Sequence, residues 1–249
     1  MLARVQHKLG EFDSTSFNEL ESPDFLVSLQ SIFVDGEAQG IFKASTVVDA
    51  SAEDCAAWEL SKMSRAKLKA FYSSNGLERS IIHINEHLSV FQVVTDLRVP
   101  GLLPREYVSS IMWKWQDEDT LVIALESVDV ESVPMKDAYL RATATNLFEY
   151  KKLPHLGEGI GAVPQTRVTL IAQVSAGGNI PRRFADRMGA GPLKSASQLR
   201  KEFDRSVEIE VASLARLGGM IWVHEGEYTD EEIVSIDAGQ DRMKMFEPM

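Results

Sequence analysis

The sequence has 249 residues, of which 44% are hydrophobic and 25% are charged, and both values are ordinary for a globular protein. They exclude a wholly disordered, collagen-like or coiled-coil chain. Acidic residues outnumber basic residues by 37 to 26, and the net charge of −11 argues against a nucleic-acid partner, because surfaces that bind nucleic acid are basic.

Cysteine content and hydropathy indicate the compartment. The single cysteine, Cys55, excludes an internal disulfide and favours a reducing environment. No apolar run approaches the ~20 residues that a membrane-spanning helix requires, and no signal-peptide pattern follows Met1. We therefore expect a cytoplasmic protein that is at most peripheral to membranes.

The N-terminal part is predicted to contain little regular structure before its first strand. Residues 1–39 mix short apolar groups with Ser, Asp and Glu, and we expect them to form a partly ordered lead-in. The apolar pattern of residues 40–48 predicts a strand. Ser51 and Asp54 then form a capping box, which predicts a helix that runs to about Met63.

Between residues 80 and 175, six runs alternate apolar with polar residues, which is typical of an antiparallel sheet with one buried face. The breaks contain turn formers: Asp117–Asp119 predicts a hairpin tip, and Pro100–Pro104 excludes regular strand pairing. The predicted strands are Ser80–Glu86, Ser89–Val99, Tyr107–Gln116, Leu121–Val128, Ala138–Tyr150 and Arg167–Ser175.

A long helix is predicted after the sheet. Gly177 and Gly178 favour a turn, Pro181 suits the first turn of a helix, and Gly189–Pro192 predicts a kink or a short break. Residues at three- and four-residue spacing give the helix one apolar face. They are Ile180, Phe184, Met188, Ala196, Leu199, Phe203 and Val207.

The C-terminal part, from His224 onward, is rich in acidic residues and is predicted to be a loosely held tail. We accordingly divide the chain into a lead-in of residues 1–39, a domain of residues 40–206, and an extension with an acidic tail of residues 207–249.

Motifs for catalysis or metal binding are weak. Gly157–Ala162 resembles a dinucleotide-binding loop, but it lies between antiparallel strands with no helix to receive a phosphate. His83 and His87 are four residues apart at a strand end and lack further ligands nearby in sequence. Cys55 falls on the apolar side of its helix, where an inert buried thiol is expected. We predict no enzymatic activity, no metal and no cofactor.

Specific residues resemble a known family. Val99–Val108, with the sequence VPGLLPREYV, is similar to the Pro-rich loop and the following Arg-Asp-aromatic-Val motif of START domains, the lipid-transfer domains related to steroidogenic acute regulatory protein. Glu106 stands in place of the aspartate. Leu121–Val128 resembles the next strand of the family, and Thr166–Val174 resembles its last strand.

The resemblance extends over about residues 40–206, because Gly178–Pro181 is also similar to the entry into the family's C-terminal helix. The chain departs from the family at Lys67–Tyr72, where a Trp-Asp pattern is usual. The resemblance implies an α+β helix-grip fold, in which a curved antiparallel sheet wraps around a long C-terminal helix and encloses a lipid cavity.

A lipid is thus the partner that the resemblance implies, together with a transient membrane surface. The loop of residues 100–104 would be a mobile lid, and we expect Leu102, Leu103, Arg182 and Arg183 to contact the membrane. Strand alternation and the apolar helix face supply the other residues. The predicted ligand-binding residues are Leu102, Leu103, Ile111, Trp113, Leu125, Leu170, Ala172, Phe184 and Met188.

Three functions remain open at this stage. The leading one is non-catalytic binding of a lipid, with transfer or sensing as its purpose. A second is a regulatory module with a closed cavity, in which the termini contact a protein partner. A third is a helix-grip enzyme that acts on a hydrophobic substrate. Solid core packing produces the same alternation of apolar residues as a cavity lining, and the class of lipid is not predicted.

Overall fold

The computed structural model describes residues 1–10, 17–22, 24–33, 40–154, 163–178, 193–223, 229, 231 and 233–235. Within these residues a nine-stranded sheet forms in the order β1-β2-β3-β9-β8-β7-β6-β5-β4. Its strands are β1 (Asn18–Leu20), β2 (Val27–Phe33), β3 (Gly40–Val48), β4 (Gly76–His83), β5 (Leu88–Thr95), β6 (Arg105–Trp115), β7 (Thr120–Ser127), β8 (Leu140–Lys152) and β9 (Thr166–Ser175).

Neighbouring strands in this order are antiparallel. A short parallel pairing also joins the start of β6 to the start of β8. The six strands predicted between residues 80 and 175 are confirmed, with ends that differ by a few residues, and the strand predicted at residues 40–48 is β3. The predicted lead-in contributes β1 and β2 to the sheet; the predicted domain boundaries at residues 40 and 207 stay predictions.

Alternation along the strands separates the side chains into two faces. We call the face that carries the larger hydrophobic cluster the inner face; Phe42, Ile123 and Leu170 belong to it. The opposite, outer face carries a smaller cluster around Ile41 and Val122. Helix α1 (Leu2–Gly10) covers part of the outer face, where it buries Leu2 and Val5.

Two short helices follow β3. Helix α2 (Ala52–Leu60) begins at Ser51, whose hydroxyl accepts a hydrogen bond from the Asp54 N–H, as the capping box predicts. The helix ends at Leu60, earlier than predicted, and Met63 is exposed. Helix α3 (Arg65–Ser74) is capped in the same way by Ser64.

Helix α4 (Leu193–Glu202) packs on the inner face through Ala196 and Leu199, as the apolar spacing predicts. Residues 179–192, which hold the first half of the predicted helix, lie outside the described residues. The prediction that this helix extends to Val207 is wrong, because the helix ends at Glu202. A new helix, α5 (Ser206–Val223), begins soon after it because the Arg205 carbonyl accepts the Glu208 and Ile209 N–H groups.

The chain forms two compact units, Met1–Asp204 and Arg205–Met249. Helix α5 belongs to the second unit, and many of its apolar side chains are exposed, with Val207 at 74% and Trp222 at 73%. Among the helices of the described residues, none combines the length and the apolar character that crossing a membrane requires.

Candidate ligand-binding site

The inner face of the sheet has two regions that differ in burial. In what we call the packed region, formed by β3, β7, β8 and β9, most inner side chains are almost inaccessible; Leu170 and Ile123 are each 1% exposed. In the partly buried region, formed by β4, β5 and β6, inner side chains such as Ile81, Val93 and Trp113 keep an intermediate exposure.

Helices α2 and α4 cover the packed region. Cys55 and Ala56 of α2 and Leu199 of α4 belong to the same buried cluster as its strands. Burial raises the pKa of the Cys55 thiol to about 12, so the thiol is protonated and inert at neutral pH, as predicted. This region has the character of a solid core.

A buried ion pair fixes α4 to the segment before β2. The Asp24 carboxylate accepts hydrogen bonds from Arg200 Nη2 at 3.0 Å, Arg200 Nε at 3.1 Å and Ser197 Oγ at 3.0 Å. Burial alone would raise the pKa of Asp24, but the Leu26 N–H, Arg200 and Ser197 outweigh burial and hold that pKa below its usual value.

Residues of the partly buried region line up across its three strands. Arg79 of β4 is directly opposite Val93 of β5, and Val93 is opposite Tyr107 of β6. The next row consists of Ile81 and Phe91, which pair in the same way. The row of Ile81 and Phe91 continues to Ser109 of β6. Because adjacent strands lie about 4.8 Å apart, these rows form a continuous surface whose polar members are Arg79, Tyr107 and Ser109.

Arg79 has an unusual environment for a cation. Its guanidinium carbon lies 5.1 Å from the ring centroid of Phe71 and 5.0 Å from that of Phe91. Its Nε is buried without a hydrogen-bond partner. Burial lowers the pKa of Arg79, and the nearby charge of Glu59 opposes that shift. An unpaired buried donor costs about 1–3 kcal/mol, and more when it is charged.

Lys67 of α3 is the second cation in this neighbourhood. Its ammonium lies 3.7 Å from the ring centroid of Trp58 and donates to the Trp58 carbonyl. Burial is the main cause that lowers the pKa of Lys67 to about 8, and the charges of Lys62 and Arg79 lower it further, whereas Glu59 raises it. Lys67 is therefore poised to titrate just above neutral pH.

Tyr107, Asn146 and Tyr150 are uncharged polar side chains that also face inward, and the Tyr150 hydroxyl is buried without a hydrogen-bond partner. Tyr107 is largely buried, and burial raises its pKa to about 12. Asn146 of β8, opposite Leu125 and Ala172, has a buried side-chain oxygen with no hydrogen-bond partner. Buried polar atoms of this kind are rare in solid cores, and they can bind the polar part of a ligand.

The loop of residues 100–104 is irregular, as predicted, and both its ends are anchored. At its C-terminal end the buried Arg105 donates from Nε to the Ala176 carbonyl at 2.6 Å and also bonds the Leu103 carbonyl. Before the loop, Arg98 donates to the Ser74 carbonyl at the end of α3. The side chain of Leu103, near the C-terminal end of the loop, is 49% exposed.

The Arg105-Glu106-Tyr107 motif places its side chains on both faces. Arg105 anchors the loop and Tyr107 faces inward, whereas Glu106 is buried on the outer face. Glu106 accepts hydrogen bonds from Gln92 Nε2 at 2.7 Å and from Arg141 Nε at 3.2 Å. The residue that departs from the family motif therefore has a structural role between strands.

The sequence-predicted ligand residues fall into four groups. Ile111 and Trp113 lie on the inner face of β6, and Leu102 and Leu103 lie in the loop. Leu125, Leu170 and Ala172 lie in the packed region, where each is buried. Their contact with a ligand stays a prediction. Phe184 and Met188 lie outside the described residues, and so do Arg182 and Arg183, which were predicted to contact the membrane rather than the ligand.

Sequence analysis missed Arg79, Lys67 and Asn146. Arg79 alternates with Ile81 and therefore shares its face of the strand. The predicted strand began at Ser80, one residue after Arg79, whereas β4 begins at Gly76. In the sequence, Lys67 stands out only as part of Lys67–Tyr72, where the chain departs from the family pattern. No local pattern reveals that it folds over Trp58, because that contact joins two helices.

The two histidines that could have held a metal are engaged at the predicted hairpin end. His83 Nδ1 lies 2.9 Å from Ser89 Oγ, and His87 Nδ1 lies 3.2 Å from the Trp113 carbonyl oxygen. The imidazole of His87 also contacts the Trp113 ring in a tilted arrangement, with centroids 4.3 Å apart and planes at 41°. Both side chains thus stabilise the β4–β5 hairpin.

Solved structures with the same architecture come from START-related proteins. Human StAR-related lipid transfer protein 5 matches with a TM-score of 0.61 and 15% identity over 81% of this chain and 93% of that chain. Human STARD10 matches with a TM-score of 0.58 and 17% identity, over 85% and 82%. The chain has a START-like helix-grip fold.

A fragment of the STAR-related lipid transfer protein from Xanthomonas axonopodis matches with a TM-score of 0.58 and 15% identity, over 76% of this chain and 98% of that chain. No protein-family model matches the sequence, and no curated protein matches it. The predicted α+β helix-grip class and the predicted likeness to START domains are confirmed at the level of the fold.

Proposed function

We propose that this protein binds a lipid against the partly buried region of its sheet, without catalysing a reaction. The observation that carries the proposal is the contrast in burial within one face: Ile81, Val93 and Trp113 of β4, β5 and β6 are only partly covered, although Phe91 and Ile111 beside them are buried. The shared fold supports it, because the names of the matching proteins describe lipid transfer.

The energetics of a lipid chain favour such a surface. Exposing an acyl chain of about sixteen carbons to water costs about 13 kcal/mol, at about 0.8 kcal/mol per methylene. A carrier must therefore cover the chain with apolar side chains. Ile81, Val93 and Trp113 offer partly uncovered apolar area on the face that also carries Arg79, whose Nε has no hydrogen-bond partner. This combination suits an amphiphile better than a wholly apolar ligand.

The loop of residues 100–104 is proposed to be the gate. The Leu103 side chain is half exposed and the ends of the loop are anchored by Arg98 and Arg105, so movement would be confined to the residues between these anchors. During exchange Leu102 and Leu103 would enter the membrane interface, and the anchored ends would return the loop afterwards. We therefore propose, more specifically, that the protein transfers its lipid between membranes.

We infer binding rather than catalysis because the potentially reactive side chains, Cys55, His83 and His87, are buried or engaged in contacts within the fold. Cys55 is a buried thiol with a raised pKa, and it lies in the packed region. His83 and His87 are held at a hairpin end by Ser89 and by the Trp113 carbonyl. These side chains are occupied in structural contacts.

Native mass spectrometry of the full chain purified from cells tests this proposal. The spectrum should contain a protein peak displaced by the mass of a lipid, and organic extraction of the same sample should release that lipid. The variant Val93→Trp, which fills the partly buried region, should lose the displaced peak and stay folded. A wild-type protein that is always empty, and that stays empty after incubation with lipid vesicles, would contradict the proposal.

A further inference from the structure

Two cations, Arg79 of the partly buried region and Lys67 of the neighbouring helix α3, form no ion pair with a carboxylate among the described residues. The nearest carboxylate in electrostatic terms is Glu59, and it is already engaged by Lys62 and by Ser195 Oγ at 3.1 Å. Both cations are nevertheless withdrawn from water by aromatic rings.

The two cations act on each other and lack a direct anionic contact within the part of the chain that the structure describes. The charge of Arg79 lowers the pKa of Lys67, whereas Glu59 raises it. The Nε of Arg79 is buried without a hydrogen-bond partner. A buried positive charge is stabilised by an anion that hydrogen-bonds it, and the cost of leaving it unpaired favours such a ligand.

We propose that Lys67 and Arg79 form an anion subsite that receives the carboxylate or phosphate head group of an amphiphilic lipid. This proposal rests on the proposed function and specifies its ligand class. The planar guanidinium of Arg79 offers parallel N–H donors that match two oxygens of such a group, and the rings of Phe71 and Phe91 hold the guanidinium in place.

The surroundings of the subsite explain why the anion would carry a chain. Ile81, Phe91 and Val93 lie on the same face of the sheet as Arg79 and within one or two rows of it. A head group bound at Arg79 therefore brings its chain directly onto apolar side chains. A free phosphate ion would gain the charge interaction but none of this apolar contact.

The test compares ligands that share one chain and differ in head group. Binding of oleate, oleoyl lysophosphatidic acid and neutral monooleoylglycerol to the full-length protein is measured by titration calorimetry, below the concentration at which each ligand aggregates. Inorganic phosphate is titrated separately. The wild type should bind both anionic ligands at least about tenfold more tightly than monooleoylglycerol, and phosphate alone far more weakly.

Variants locate the effect. Arg79→Gln should weaken binding of oleate and oleoyl lysophosphatidic acid about tenfold and leave monooleoylglycerol within about twofold. Arg79→Lys should keep part of the preference for the anionic ligands. Arg65→Gln is the control, because it removes a cation from the exposed side of the same helix as Lys67 and should change nothing. Lys67→Gln repeats the test if Arg79→Gln fails to fold.

Two results would overturn the inference and spare the proposed function: equal affinity of the wild type for neutral and anionic ligands, or equal weakening of all three by Arg79→Gln. Binding of inorganic phosphate as tight as that of oleoyl lysophosphatidic acid would assign the subsite to a free anion and also overturn it. If none of the oleoyl ligands binds, the proposed function fails as well.

Discussion

The packed and the partly buried regions of the inner face share the same alternation of apolar residues, but helices cover them to different extents. Ile123 in the packed region and Ile81 in the partly buried region both face inward, yet Ile123 is 1% exposed and Ile81 keeps an intermediate exposure. The difference comes from α2 and α4, which lie over the packed region. Alternation along a strand therefore assigns a side chain to a face, whereas its role depends on what lies above that face.

The two isoleucines give the largest expected contrast. Ile123→Ala should lower the free energy of unfolding by about 2–5 kcal/mol, because it leaves a cavity in a tightly packed core. Ile81→Ala should cost roughly half as much or less, since part of that side chain is already exposed. Urea denaturation of both variants measures the difference. Equal losses at the two positions would mean that the two regions are one solid core.

The ion pair that holds α4 in place is expected to have the next largest effect. Asp24→Asn removes the carboxylate from a buried Arg200 and should cost about 3 kcal/mol. The control Asp129→Asn, whose carboxylate is almost fully exposed, should cost less than about 1 kcal/mol.

This effect should also depend on pH. The pKa of Asp24 is lowered in the folded protein, so its stabilising contribution is present above the ordinary aspartate pKa and is lost as the pH falls through the folded value. The stability gap between wild type and Asp24→Asn should therefore shrink below about pH 4. A gap that stays constant down to pH 2 would contradict the role given to this ion pair.

How far the sequence predicts this molecule depends on whether a feature is local. The strand at residues 40–48, the Ser51 cap and the irregular loop of residues 100–104 follow from local patterns and are confirmed. The membership of β2 in the sheet was not predicted, because its apolar residues Val27, Leu29, Ile32 and Phe33 do not keep a single alternating pattern, and the pairing with β3 is what defines the strand. Long-range pairing supplies what the local pattern lacks.

The candidate site shows the same limit. Ile111 and Trp113 were placed on the inner face by parity, and the structure agrees. Lys67 looks like a surface lysine in sequence, because only the fold brings the ring of Trp58 against its ammonium. Functional groups that depend on contacts between elements are therefore the ones that sequence analysis missed.

Lys67 offers a pH test within the partly buried region. The pKa of Lys67 is lowered to about 8 in the folded protein, below the ordinary lysine value. Between about pH 8 and 10.5, Lys67 is therefore protonated in the unfolded chain but largely deprotonated in the folded protein. Lys67→Met removes this desolvated charge and should raise the free energy of unfolding above that of the wild type near pH 7. The increase should disappear toward pH 10. Lys69→Met, on an exposed position of α3, should show no such trend. Thermal unfolding at several pH values measures both.

A substitution in the loop of residues 100–104, the proposed gate, should cause the smallest change in stability. Leu103→Ser should alter the free energy of unfolding by less than about 0.5 kcal/mol, because the side chain is half exposed. The same change should slow lipid transfer between vesicles about fivefold if the leucine enters the membrane. Leu26→Ser is a matched control, since Leu26 is 48% exposed and lies far from the loop in sequence. Equal transfer rates for both variants would remove Leu103 from the membrane contact.

Photolabelling tests the division of the inner face most directly. The full-length protein is irradiated with a diazirine-bearing monoacylglycerol below its aggregation concentration, and the labelled peptides are sequenced by mass spectrometry. We predict labels on the inner-facing residues of β4, β5 and β6, around Ile81, Val93 and Trp113, and none on β3 or β9. Labels concentrated on β3 and β9, or no specific label anywhere, would contradict the assignment of the partly buried region as the lipid site.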